Sequence, residues 1–173
     1  MNYLFLLIAL MSSTTLFAQL NHYSGNRALN SNTTGVQNTA LGNDVLRSNQ
    51  SGSYNTATGA GAMYYNQTGK SNTAVGYQSL YRNYSGKENV AFGASALNSN
   101  SSGNYNTGIG TYALGFNTNG TNNTAAGYHA LMSNIGASAN TAFGAFALQS
   151  NTKGENNVAL GYYALYNLSL IHI

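Results

Sequence analysis

"NTAVGYQSLYRNYSGKE", residues 72–88, decides how the whole chain is read, because the chain repeats it. From Asn21 the sequence divides every 17 residues without an insertion. The units begin at Asn21, Asn38, Asn55, Asn72, Asn89, Asn106, Asn123, Asn140 and Asn157. A fixed period of that length marks a solenoid, in which each lap covers its neighbour's exposed face. Position 5 of the lap is always glycine, and position 3 is usually alanine. Position 8 is usually alanine, and position 9 is leucine except at Met63. Position 12 is asparagine from Asn32 to Asn151, and position 15 is mostly glycine.

Two periodicities lie inside each lap. Over the first five residues, fixed and variable places alternate, which is the period of a strand. Asn, Ala and Gly then share one face, while Thr and a variable apolar residue (Leu41, Val75, Phe92, Ile109, Phe143, Leu160) share the other. From position 5 onward the fixed places are 5, 8, 9 and 12, the i, i+3, i+4, i+7 stripe of a helical turn. Glycine at position 15 is expected to supply the positive φ of a return turn. The fold class expected is therefore mainly β. It is a parallel β-solenoid of 17-residue coils, each with one short strand (N-T-A-x-G) and a short helical (α or 3₁₀) or second extended segment. Like residues would stack at ~4.8 Å per step into a rod about 40 Å long. The Leu, Ala and variable apolar places would supply the core, although one of the two strand faces must look outward and the pattern leaves open which. The repeated Asn would form hydrogen-bonded ladders.

Composition agrees and narrows the function. Only nine of 173 residues are charged, six basic and three acidic. They fall at positions 7, 10, 11, 14, 16 and 17 and never at a fixed core place, which marks those positions as solvent-facing. No basic stripe exists to neutralise phosphates, so nucleic acid is not an expected partner. The absence of cysteine excludes disulfides and thiolate metal sites.

The two ends read differently from the array. Residues 1–18, "MNYLFLLIALMSSTTLFA", carry an apolar run and a small residue, Ala18, at a signal-peptidase site. They read as a signal peptide, with the mature chain starting at Gln19; a buried N-terminal helix is the alternative. The apolar run is shorter than the ~20 residues a membrane span needs. Residues 19–167 are the repeat solenoid. Residues 168–173, "LSLIHI", break the pattern, with Leu168 where Asn is due and Ile171 where Gly is due. They read as the translation of a sequencing adapter rather than native sequence. A capping strand is the alternative.

No catalytic constellation emerges. Asp44, Glu88 and Glu155 stand in different laps at different positions, unlike a paired-carboxylate site. His22, His129 and His172 share no metal-ligand spacing. The turns carry Asn, Thr and Gly rather than the aspartates of calcium-binding solenoids. No cofactor, metal or catalytic residue is expected. Two surface signals remain. Thr39, Thr56, Thr73, Thr107, Thr124 and Thr141 form one row that would suit ice or a crystalline polysaccharide. Tyrosines crowd the variable places, and Tyr64, Tyr77, Tyr81, Tyr112, Tyr128, Tyr162 and Tyr163 make the candidate ligand or partner face.

The segments "NTAVG", "NVAFG" and "NVALG" resemble the core motif of the head repeats of trimeric autotransporter adhesins, the YadA-like head family. The full unit is similar to repeat arrays of secreted proteins and phage tail fibres. The resemblance covers residues 21–167. It implies a left-handed parallel β-roll, usually trimeric, that presents an adhesive surface outside the cell. The function expected is that of an exported, non-catalytic stalk or head of an adhesin or fibre. Its partners would be a host, neighbouring-cell or glycan surface, with homotrimers formed. A carbohydrate- or ice-binding solenoid using the Tyr or Thr rows is the alternative. A third reading places a catalytic domain in sequence beyond the array.

Overall fold

The computed structural model describes residues 21–168. The chain winds into a parallel β-solenoid with one nine-stranded sheet. Its strands are β1 (His22–Ser24), β2 (Thr39–Leu41), β3 (Thr56–Thr58), β4 (Thr73–Val75), β5 (Val90–Phe92), β6 (Thr107–Ile109), β7 (Thr124–Ala126), β8 (Thr141–Phe143) and β9 (Val158–Leu160). Each pairs in parallel only with its sequence neighbours. Thr39 lies beside Thr56, Thr56 beside Thr73, and Ala125 beside Ala142. The lap length is thus the register, and coils 1 to 9 are numbered by these strands.

Each strand covers positions 2 to 4 of the lap. Position 3 points inward: Ala40, Ala57, Ala74, Ala91, Ala125 and Ala142 are fully buried. The expected apolar core from position 4 is corrected, because those side chains point to solvent. Leu41, Phe92, Ile109 and Phe143 are 43–56% exposed, and Leu160 80%. Volume decides the choice. Leucine at position 9 already fills the narrow interior from the opposite wall, leaving room across from it for a methyl group.

Away from the two end coils the stripe at positions 8, 9 and 12 is buried as its spacing requires, yet the described residues contain no helix. Two successive tight turns take its place. In coil 3, Ala62 N donates to Gly59 O (3.0 Å) and Asn66 N to Met63 O (3.0 Å). Positions 7 and 9 are left-handed in every coil, with φ 56° at Tyr112 and 53° at Leu114. Alternating handedness turns successive amides along the rod axis. Gly61 N therefore donates back to Asn43 O (2.9 Å), while Met63 N and Tyr65 N donate forward to Ser79 O and Tyr81 O (both 2.9 Å). A helix would spend those groups within the coil and need ~8–10 Å between neighbours, about twice the strand spacing.

The two asparagine ladders run the length of the array. At position 1, Asn55 Oδ1 accepts from the backbone N (3.0 Å) and Nδ2 (3.1 Å) of Asn72, while Asn55 Nδ2 donates to Gly69 O (2.9 Å). At position 12, Asn100 Nδ2 donates to Asn83 Oδ1 and Gly103 O, both at 2.9 Å. The ladders explain the glycine at position 15, whose expected positive φ is absent; the left-handed residue of the return loop is position 17, such as Tyr54 or Glu88. A Cβ on Gly103 would lie 2.5 Å from Gly120 O and 2.8 Å from Asn117 Nδ2. Glycine is there to let the amides approach, not to turn the chain.

Leucine stacking carries most of the apolar cohesion. Leu114 is fully buried between Leu97 and Leu131 of the same row. Leu114→Ala is expected to cost about 2–5 kcal/mol. Phe92→Ala on the exposed face should stay within about 0.5 kcal/mol. Urea unfolding of both variants checks the pair.

Candidate functional site

Everything chemically varied lies outside the ladders, and the outward rows form two surfaces. The sheet face carries the position 2 threonines beside the position 4 apolar row. The turn edge carries positions 6, 7, 10 and 11, where all seven candidate tyrosines stand.

The candidate tyrosines do not make one continuous face. Tyr112, Tyr128, Tyr162 and Tyr163 join a band on coils 6 to 9 together with His129 and Phe146. His129 stacks on Tyr128 (3.9 Å between centroids, 12°), and Phe146 on Tyr163 (4.7 Å, 25°). Tyr112 meets His129 edge-on at 5.5 Å. Tyr64 and Tyr81 belong to a second cluster on coils 3 and 4, 5.2 Å apart, with Tyr65 touching both. Coil 5 separates the two, because its turn positions hold only Ala94, Ser95, Asn98 and Ser99. Tyr77 stands apart, 58% exposed, with no ring contact among the described residues.

The pairs 17 residues apart, such as Phe146 with Tyr163 and Tyr64 with Tyr81, follow from the lap, whereas Tyr128 and His129 are chain neighbours within one coil. Rings at the same position in adjacent coils sit one strand spacing apart, close to the separation of stacked or tilted aromatic pairs. His129 and Phe146 were legible as band members from their shared place at position 7. A charged network on coils 1 to 3 joins residues 17 apart (Arg27 with Asp44, Arg47 with Tyr64) to one pair within coil 2 (Asp44 with Arg47). Arg27 Nη2 contacts Asp44 Oδ2 at 2.7 Å, and Arg47 Nε lies 3.7 Å from Asp44 Oδ1. Arg47 Nη1 donates to the Tyr64 hydroxyl, and its guanidinium lies 5.3 Å from that ring's centre.

Electrostatics is mild. Burial raises the Tyr81 phenol above its ordinary value, with Tyr65 adding to the shift. Burial among the rings lowers His129 below the ordinary imidazole value. The sign for stability follows. The unfolded chain binds the proton more readily, so stability is expected to fall as pH drops below about 6.5. His129→Phe suits the left-handed backbone, as Phe146 does at the same position (φ 60°). It should remove that part of the slope. Melting temperatures at pH 7.5 and 5.5 for the two proteins are the check.

Among the described residues no group of three or more His, Asp or Glu side chains is placed to hold a metal ion. No described helix is long and apolar enough to cross a membrane. Glu88 and Glu155 lie on exposed return loops, in different coils from Asp44. Residues 1–20, which include the segment expected to be a signal peptide, and residues 169–173 fall outside the described residues. Leu168 is described; its N–H donates to Leu165 O at 3.2 Å and its side chain packs against the core. Comparison with protein families, curated proteins and solved structures finds no match to this chain.

Proposed function

We propose that this chain is an exported, surface-displayed structural and adhesive repeat protein, the stalk or head of an adhesin or fibre, and not a catalyst. One observation carries the reading. The recurrent Asn, Ala and Leu of each lap are buried in ladders and core, while most variable places face outward. A scaffold selected for rigidity and display has that division, because each coil can change its outer side chains without disturbing its neighbours. The signal-peptide reading of residues 1–18 supports export. The exposed sheet face, with Leu41, Phe92, Ile109 and Phe143, supports packing of copies side by side into a homotrimer.

The test is location. An antibody raised against the array should label unpermeabilised cells of the source organism, and external protease should strip the epitope. An array found only in the cytoplasmic fraction would contradict the proposal. A second reading draws on the threonines, which line the outward side of the sheet where ice or a crystalline polysaccharide could meet them. Val90 interrupts that row, and the bulky position 4 neighbours roughen it. Ice-recrystallisation inhibition by the purified protein would favour this second reading, and its absence would remove it.

A further inference from the structure

We propose that a notch over Ala60 and Gly61 is a binding subsite for one uncharged pyranose ring of a glycan. Ala60 and Gly61 are the smallest pair that any coil places at positions 6 and 7. Their coil is therefore recessed between two that carry larger side chains. Asn43 and Asp44 of coil 2 form one wall, and Tyr77 and Gln78 of coil 4 form the other, with Tyr64 and Tyr81 alongside. The cleft holds about 220 Å³. That is smaller than the ~300–1,000 Å³ of pockets for drug-sized ligands, and the walls stand two lap spacings, about 10 Å, apart. One sugar ring suits it better than a longer segment.

The lining has the two chemistries a sugar needs. Ring carbons of Tyr81 lie 3.6–3.7 Å from where a Cβ on Gly61 would stand, so an aromatic surface borders the empty space. Tyr77, free of ring contacts among the described residues, supplies a second platform for the apolar C–H face of a pyranose. Asn43 Oδ1 already accepts from Asn26 N (3.0 Å), which leaves its Nδ2 to donate to a hydroxyl. The Gln78 side-chain amide makes no hydrogen bond to the described residues.

Charge argues against the other ligand that three tyrosines suggest, an ammonium ion. Arg27 and Arg47 both contact Asp44, so the rim holds two guanidiniums against one carboxylate. Arg47 also lies against the Tyr64 ring, where a ligand cation would compete with it. A neutral polyhydroxylated ring meets no such obstacle.

The proposal names a ligand class for the displayed array and rests on that reading. Cell-surface labelling is measured independently of sugar binding, so failure of either is recognisable. Methyl glycosides of glucose, galactose, mannose and N-acetylglucosamine are titrated into the full chain by saturation-transfer NMR and tyrosine fluorescence. At least one is expected to saturate a single site. Gly61→Gln should fill the notch and weaken binding at least tenfold. It copies coil 4, where Gln78 holds the same left-handed backbone (φ 51°, against 68° at Gly61), and the added Cβ makes only ordinary contacts of 3.4–3.7 Å. An unchanged melting temperature verifies that the solenoid is intact. Tyr77→Ala, at an exposed side chain, should also weaken binding. Saturation by none of the four sugars, wild-type binding by both variants, or displacement of the sugar by millimolar tetramethylammonium would each overturn the proposal.

Discussion

Gly93→Ala is expected to split the rod between coils 5 and 6. Gly93 sits directly after β5 at φ 134°, a backbone conformation that L side chains rarely adopt. An added Cβ would lie 2.7 Å from Gly110 C and 2.8 Å from Gly110 O. The obstructing atoms are backbone, so no rotamer change relieves them. Strain of about 1–3 kcal/mol and overpacking of about 1–3 kcal/mol both fall on one inter-coil step. Hydrogen exchange should show the loss centred on the bonds that bridge these coils, such as Leu97 N to Ala113 O (3.0 Å). Coils 1 to 3 should stay protected, because a solenoid's stability is approximately a sum of neighbour terms. Uniform loss along the chain would show that the coils do not act as nearest neighbours.

The second large effect is expected at Asn100, fully buried at the centre of the position 12 ladder. Besides its two donated bonds, its Oδ1 accepts from Asn117 Nδ2 at 2.7 Å and from Asn106 Nδ2 at 3.4 Å. Asn100→Ala removes all four bonds, and Asn106 Nδ2 keeps Gly120 O. Gly103 O keeps Asn89 Nδ2, and Asn117 Nδ2 keeps Gly120 O. Asn83 Oδ1 is left buried without its ladder partner. The loss should exceed about 2 kcal/mol, since each bond contributes ~1 and an orphaned buried acceptor costs ~1–3. Asn100→Asp should be worse at neutral pH, because its carboxylate would face two acceptors, Asn83 Oδ1 and Gly103 O. Burial and these acceptors raise its pKa above the unfolded value. The variant's stability is therefore greatest below about pH 4 and declines as pH rises through the raised value. Urea titrations at pH 3.5 and 7 would separate this from a simple loss of packing.

The rows of Asn, Ala, Gly and Leu disclosed the period, the parallel register and the buried stripe, because stacking in register demands identical residues in every lap. Backbone handedness was harder to read. Positions 5, 8, 9 and 12 fall on one side of a helical turn, but they fall on one side of two alternating-handed turns as well. Nothing about Leu114 as a residue type announces a φ of 53°. The outward face of the sheet was hidden for a similar reason. Alternation separates Ala91 from Phe92, yet only the volume left by Leu97 across the coil says which points in. Tyrosine positions were plain, but their division into two clusters comes from the small residues of coil 5. The notch appears only when Ala60 and Gly61 are compared with the same places in other laps.

The central claim is that one lap of 17 residues advances the chain by one strand spacing along one axis. The chain has no cysteine, so paired cysteines introduced at position 11 can carry spin labels without competition. Ser31 with Ser133 spans six laps and Ser31 with Ser150 spans seven. Pulsed dipolar spectroscopy should give separations of about 29 and about 34 Å, rising by one step of ~4.8 Å. Distances that fail to grow with the number of laps between the labels would contradict the stacked solenoid.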